Sequence, residues 1–438
     1  MTDLIRLHPQ EFVGLLNRQG IRRAYLVSDP SGTRMLPSHP ALQPLAEFVQ
    51  GDQRDFAHHE GIFLQVSSEH ETLQGAFVHR TARGAAAGGV RYWSYDTVED
   101  YLRDGLRLSQ GMTHKNALAG LWWGGGKGVM AHNPNVRKDA PEVRATLYRD
   151  YGRFMSSLRG CYVTAEDVGT HVTDMAHVFA RTRFTTCIPT ELGGSGNPSV
   201  PTARGVIAGM QAALEFAGLG DLRGKRVAVQ GMGNVGGPVI RFLFEAGVAK
   251  VIAADVDAAT VDRVVQQCRG MNLEARVVER ADISILGEEC DIVSPCATGA
   301  TLNPRTIPAI RARIVCGAAN NQLEDPKRDD RALFDKSILY VPDFLTNRMG
   351  IVNCADEQFG TVTHDPLIER HLSRDWEHSI HATCMRVFAE SRDMRQPPGQ
   401  VALRMAEALS MEPHPLTGHR GRQIIASLVA DRWQDSDL

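Results

Sequence analysis

The stretch "GLWWGGGKGVM", residues 120 to 130, sets Lys127 behind three consecutive glycines in an otherwise apolar run. A lysine among glycines suggests a phosphate cradle, but that pattern needs four residues between its first Gly and the Gly-Lys pair, then Ser or Thr for magnesium. Gly128 follows Lys127, so the phosphate role is excluded. Lys115, in "GMTHKNALAG", lies twelve residues earlier. Two ammonium groups near one cleft repel each other, and an apolar wall of Leu121, Trp122 and Trp123 would desolvate at least one of them. Both effects lower a lysine pKa from about 10.4 toward the range of about 7 to 8 that suits a general base at neutral pH. Asp167, in "CYVTAEDVGTHV", is a third group able to exchange protons. On spacing alone each also has a plainer role: Lys127 on a tight solvated turn, Lys115 as a helix-end cation, Asp167 as the cap of "VGTHVTDMAHVFA".

A second chemistry sits further on. Gly231, Gly233 and Gly236 form GxGxxG directly after the apolar strand "RVAVQ" and at the head of a helix. The glycines serve a tight turn, close backbone approach to a pyrophosphate and close packing of helix on strand, and the helix N-terminus offers free N–H groups to phosphate. Asp255 ends the next apolar strand 19 residues after Gly236, where a carboxylate accepts hydrogen bonds from an adenosine ribose and repels a 2′-phosphate. The cofactor expected is NAD, not NADP, and Asp257 strengthens that bias.

The elements that must position these groups follow from length and pattern. A chain of 438 residues is too long for one ordinary core and suggests two domains. Residues 1–50 read as a turn-rich extension. Residues 51–197 read as a domain that brings substrate to the cofactor, with strands in "GIFLQVS" and "LQGAFVHRT" and a helix capped by Asp96 or Thr97 that runs toward the glycines. "ELGGSGNPSVPT" has the composition of a hinge. Residues 198–350 alternate strand and helix as a Rossmann-type domain, and helices over 365–438 return to complete the first domain. The fold class expected is therefore α/β in two domains. Hydrophobic residues at 43%, charged residues at 23% and a net charge of −3 describe a globular chain with no electrostatic case for nucleic acid or an anionic membrane. No apolar run reaches a membrane span and no signal segment opens the chain, so a cytoplasmic protein is expected. The eight cysteines are scattered singly, and His58, His59 and Glu60 are adjacent in sequence, so neither a disulfide frame nor a metal site is expected.

Eight segments in order, "GGVRYWSY", "LRLSQGMTHKNALAGLWWGGGKGVM", "CYVTAEDVGT", "GSGNPSVPTARGV", "VQGMGNVGG", "CDIVSPCATGATLN", "GAANNQL" and "VPDFLTNRMGIVNCADE", closely resemble the glutamate/leucine/phenylalanine/valine dehydrogenase family, in its leucine and phenylalanine dehydrogenase branch. The resemblance runs from about Gly61 to Phe359. It implies reversible oxidative deamination of an L-amino acid by NAD and water to a 2-oxo acid, ammonia and NADH, in a homo-oligomer. It implies Lys127 as the catalytic base, Asp167 as the group exchanging protons with the amine, and Lys115 as the ligand of the α-carboxylate, aided by the Gly88 N–H and the Asn321 amide. Thr202, Asn320 and Asn347 would line the nicotinamide side; Asn234 and Val235 in the glycine turn and Ala297 would complete the cofactor contacts.

The branch's side-chain pocket falls on Ala87, Met112, Ile351 and Cys354. That lining is apolar, and Ala87 is smaller than the leucine usual in the branch, which leaves room for a bulky apolar or aromatic substrate. Two departures bear on it: the family's "PALGG" reads "AAAGG", and "NAGG" reads "NRMG", placing Arg348 and Met349 where small residues sit. Arg348 is expected to face the hinge and reach water. Two alternatives stand beside this reading: Arg348 as the side-chain partner of a polar substrate, and a non-catalytic NAD-binding regulator.

Overall fold

The computed structural model describes residues 3–360 and 362–436, which form two sheets. The strands of the first are β1 (Arg23–Ser28), β2 (Met35–Pro37), β3 (Gly61–Val66), β4 (Leu73–Arg80), β5 (Ala86–Trp93), β6 (Gly124–Ala131) and β7 (Tyr162–Glu166). Their order is β2-β1-β3-β4-β6-β5-β7; the pairs from β2 through β4 to β6 are antiparallel, and β5 is parallel to both β6 and β7. The second sheet contains β8 (Arg226–Gln230), β9 (Lys250–Asp255), β10 (Leu273–Val277), β11 (Ile292–Pro295), β12 (Ile314–Val315) and β13 (Leu339–Tyr340). All its pairs are parallel, in the order β10-β9-β8-β11-β12-β13. Renumbered from β8 this is 3-2-1-4-5-6, the doubly wound order whose switch point lies between β8 and β11.

Contrary to the tight turn expected of "GGGK", residues 124–131 are β6, an interior strand between β4 and β5. Glycine is poor in strands by propensity, which is why the run reads as a turn. Here the missing side chains leave space that other groups fill. A Cβ on Gly125 would stand 2.2 Å from the Thr113 backbone nitrogen, one on Gly124 2.0 Å from the Arg80 carbonyl, and one on Gly126 2.6 Å from the Tyr162 ring. The Val98–Leu118 helix, capped by the Thr97 side chain, therefore lies directly on β6. Lys115 is in the last turn of that helix and Lys127 is on the strand beneath it.

Residues 3–50 are not an extension. The turn-rich "SDPSGTRMLPSHP" contains the hairpin that joins β1 to β2, with the Asp29 carboxylate accepting from the Thr33 and Arg34 N–H groups. Phe12, Val13 and Leu16, and Leu45 and Val49 from a second short helix, are buried with Ile62, Leu64, Tyr101 and Leu102. Each apolar patch is too short to show a period on its own, so the pattern alone does not reveal that they share one core.

The C-terminal return is also divided. Ile380–Met394 packs on Ser199–Phe216, while Pro398–Ser410 lies along the Val98–Leu118 helix. Ile425, Leu428 and Trp433 then enter the core of the first sheet, where the Trp433 ring meets Phe63 edge-on at 5.3 Å between centroids. Between the sheets, the Met349–Glu357 helix is shared: Met349 and Val352 pack with the second sheet, Ile351 and Cys354 with the first. Among the described residues no helix is long and apolar enough to cross a membrane.

Two glycines separate close approach from open space. Gly125→Ala must lift the helix from the strand and is expected to cost at least about 1–3 kcal/mol, as overpacking does. A Cβ on Gly111, inside the same helix, meets nothing within 4 Å, so Gly111→Ala is expected to be neutral or to stabilise by up to about 1 kcal/mol. Urea unfolding midpoints of the two variants check the pair.

Candidate active site

By strand alternation Lys127 shares a face with Gly125, the residue pressed against the helix. Its ammonium pairs with Asp167 Oδ2 at 3.0 Å, and it is 4% exposed. Asp167 leaves β7 in a tight turn in which its backbone N–H donates to Thr170 Oγ1 at 2.8 Å. It is not a helix cap: the Val172–Phe179 helix is capped at His171, whose N–H donates to Asp174. The second cation on Asp167 is Arg91 of β5, with Nε 3.3 Å from Oδ2. Arg91 also forks onto Asp104 at 3.1 and 3.0 Å, and Asp104 accepts from Tyr95 and Arg107 as well.

Charge and burial act in opposite directions here. Burial would raise the Asp167 carboxyl, but Lys127 and Arg91 hold it down at about 2, so it stays ionised. Burial lowers the Lys127 ammonium, Asp167 works against that, and Arg91 adds to it. Lys115 is pushed down to about 8, first by burial, with the Lys127 charge adding and Asp343 and Asp167 opposing. Of the apolar wall expected beside the lysines, Leu121 and Trp123 pack against the first core, whereas Trp122 is 42% exposed, with the Arg83 guanidinium over its ring at 4.2 Å. Glu166, next to Asp167, is raised to about 7 by burial and by the charges of Asp174 and Asp167.

Residues after β12 and β13 close the other side. Lys115 Nζ reaches Asn320 Oδ1 at 3.4 Å, and Asn347 Nδ2 donates to the same oxygen at 2.8 Å and to the Ala318 carbonyl at 3.1 Å. Asn321, at φ 52°, donates its backbone N–H to Asp343 Oδ2 at 2.7 Å. The Thr202 hydroxyl donates to the Pro198 carbonyl one turn back. Lys115, Asn320 and Asn347 are thus linked across the space between the sheets, and the charges of Lys127 and Asp167 act on Lys115.

The nucleotide turn has the geometry its sequence implies. Gly231 takes φ 90°, and a Cβ there would lie 2.9 Å from Ala297, which follows β11 across the switch point. A Cβ on Gly236 would lie 2.0 Å from the Gly231 carbonyl, whereas one on Gly233 meets nothing within 4 Å, which leaves that backbone open to a ligand. Asn234 and Val235 lead into the Gly236–Glu245 helix. Asp255 accepts the Met232 and Asp257 N–H groups at 2.6 and 3.0 Å, so the carboxylate is fixed at the strand end. Asp257 is occupied as the cap of the Ala258–Gln267 helix. These residues fit a dinucleotide: an open glycine, a free helix start and an oriented carboxylate lie together.

The side-chain pocket is gathered only in part. Ile351 and Cys354 join the core of the first sheet and Met112 packs against it, but Ala87 lies outside that cluster. Gly88 adjoins Ala87 on β5; its carbonyl takes the Tyr162 hydroxyl at 2.6 Å, and a Cβ there would stand 2.9 Å from the Met112 side chain. The Cys354 thiol meets the Cys187 thiol at 3.1 Å. Arg348 reaches neither water nor this pocket. It is fully buried, and its guanidinium is committed to the Leu118 and His378 carbonyls, which removes it as a substrate partner. Sequence reasoning missed Arg91, Asp104 and Asp343; the signal was a charged residue inside an apolar run, as in "GGVRYW" and "VPDF". No group of residues able to hold a metal ion occurs among the described residues.

Comparison with known proteins gives this geometry its lineage. Residues 63–184 match the family model described as Glu/Leu/Phe/Val dehydrogenase, dimerisation domain, and residues 193–409 match Glutamate/Leucine/Phenylalanine/Valine dehydrogenase. The chain is 42% identical to a leucine dehydrogenase of Geobacillus stearothermophilus over 75% of this chain and 84% of that one. It is 40% identical to a valine dehydrogenase of Streptomyces virginiae over 75% of this chain and 87% of that one. The crystal structure of L-tryptophan dehydrogenase from Nostoc punctiforme superposes with a TM-score of 0.64 at 32% identity, covering 80% of this chain and 96% of the other. With the two family models together covering residues 63–184 and 193–409 and relatives about 40% identical over most of both chains, the chain belongs to the glutamate/leucine/phenylalanine/valine dehydrogenase family and is an amino acid dehydrogenase.

Proposed function

We propose that the chain catalyses the reversible NAD-dependent oxidative deamination of an L-amino acid with a bulky apolar or aromatic side chain, giving the 2-oxo acid and ammonia. The observation that carries this reading is the buried Lys127–Asp167 pair, whose charges are felt at Lys115, the lysine that reaches Asn320 of the unit that bears the glycine turn. NAD supplies the hydride acceptor when bound. Gly231, Gly233, Asn234, Val235, Gly236 and Ala297 would take its pyrophosphate side, Asp255 its ribose, and Thr202, Asn320 and Asn347 its nicotinamide side. Lys115, the Gly88 N–H and Asn321 fix the α-carboxylate, which orients the α-carbon. Ionised Asp167 accepts hydrogen bonds from the substrate amine and draws off a proton, since hydride leaves only when the amine is neutral. Lys127, lowered by burial, takes the proton of the attacking water and handles protons at the α-carbon.

Substrate class follows from the lining. Met112, Ile351 and Cys354 are apolar, and the one cation expected nearby, Arg348, is turned elsewhere. A glutamate side chain buried there unpaired would cost several kcal/mol. The names of the relatives, for leucine, valine and tryptophan, support the same class. A homo-oligomer is part of the reading, supported by the dimerisation domain matched over 63–184, as is a cytoplasmic location.

Three measurements test it. In a panel of L-amino acids with NAD and NADP, kcat/KM should favour apolar or aromatic substrates and NAD; glutamate ranking first would contradict the pocket reading. Lys127→Ala should lower kcat at least about 10²-fold, the usual scale for a positioned base, while NADH still binds. Near-normal turnover would remove the base. The Lys115 ammonium must be charged to hold a carboxylate, and with its pKa lowered to about 8 that charge is present below and lost above this value. KM for the amino acid should therefore climb roughly fivefold between pH 8 and pH 9, and roughly tenfold more by pH 10, without a matching change for NAD. A flat profile would detach Lys115 from the carboxylate.

A further inference from the structure

Arg348 is wholly buried between the two units. Among the described residues no carboxylate lies within ion-pair distance of its guanidinium and Nε has no partner; the nearby charge of Arg386 adds to the strain of burial. A guanidinium does not give up its proton to escape such a site, so something else must stabilise the charge. Its contacts identify what does. Nη1 donates to the Leu118 carbonyl at 2.6 Å, and Nη2 donates to the His378 carbonyl and, at 3.5 Å, to Thr383 Oγ1.

Leu118 is the last residue of the helix that carries Lys115. The carbonyls of a helix's final turn lack intrahelical donors and form the negative end of its dipole, which favours a cation there. The chain leaves this helix through Gly120 at φ 70°, and a Cβ there would lie 2.8 Å from the His378 ring, so the joint has no slack. On the other side of Arg348, Asn347 donates to Asn320 Oδ1, the same oxygen that Lys115 reaches. Two ties therefore cross between the units side by side, Leu118 to Arg348 and Lys115 to Asn320.

Resting on the proposed role of Lys115 as the carboxylate ligand, we infer that Arg348 is a positioning residue: it caps the C-terminus of the Lys115 helix from the nucleotide-binding unit and so fixes where the Lys115 ammonium stands in the cleft. It touches neither substrate nor cofactor. Lysine cannot replace it, because a point charge on a flexible stem cannot fork onto two carbonyls.

The test is a double-mutant cycle in the full-length protein, with KM for the amino acid and NADH binding as readouts. Arg348→Lys should raise KM for the amino acid at least about fivefold, with the NADH dissociation constant unchanged within about twofold. In a Lys115→Ala background the same substitution should change KM by less than about twofold, because the group it positions is gone. An unchanged KM in the wild-type background, or an equal rise in both backgrounds, overturns the inference; a merely structural arginine gives the equal rise. If Lys115→Ala alone leaves KM unchanged, the carboxylate role of Lys115 falls and this inference with it, an outcome distinct from the equal rise, which overturns the Arg348 inference alone. Should Arg348→Lys not fold, Arg348→Gln, which donates to one carbonyl without burying a charge, carries the same comparison.

Discussion

An ammonium group buried beside a carboxylate can be driven either way: desolvation removes its proton, and the neighbouring charge holds it on. In this protein the Lys127–Asp167 contact sets that balance, and much of the surrounding structure keeps it there. Arg91 shares Asp167, so the carboxylate remains ionised without giving all its stabilisation to the lysine. Asp104 in turn takes the fork of Arg91 and hydrogen bonds from Tyr95 and Arg107, which prevents the arginine from leaving to solvent. A buried pair of this kind contributes little net stability, and removing one partner is costly. Its retention points to chemistry instead.

The glycines give the pair its setting. Because β6 presents no side chain at Gly125, the Val98–Leu118 helix rests on backbone, and the two lysines are brought together by a helix and a strand instead of by loops. Sites built on regular elements hold their geometry more closely than sites on loops, which suits a reaction whose rate depends on orientation. The second sheet adds Asn320 and Asn347 from the segments that follow its last two strands, and the shared Met349–Glu357 helix packs against both units.

Much of this is legible in the residues. GxGxxG after an apolar strand, with Asp255 at the next strand end, gives the parallel sheet and its ligand turn because each glycine answers a local backbone need. Lys115, Lys127 and Asp167 stand out through type and motif. What does not show is set by contacts distant in sequence. The β6 glycines read as a turn, because their reason lies in Thr113, Arg80 and Tyr162. Residues 1–50 read as an extension, because their short apolar patches gain a core only through Ile62, Leu64 and Tyr101. Arg348 reads as a residue that seeks water; it finds a helix-end carbonyl 230 residues away, which no local pattern reveals.

The titration of Lys127 itself tests the central claim most directly. With lysine labelled at its ε-carbon and followed by NMR across pH, Lys127 should titrate below the ordinary value of about 10.4, and lower still in Asp167→Asn, where the charge that holds the proton is gone. A Lys127 that titrates at the ordinary value and does not respond to Asp167→Asn would show that burial and the carboxylate do not set its charge, and the proposed base would have no physical footing.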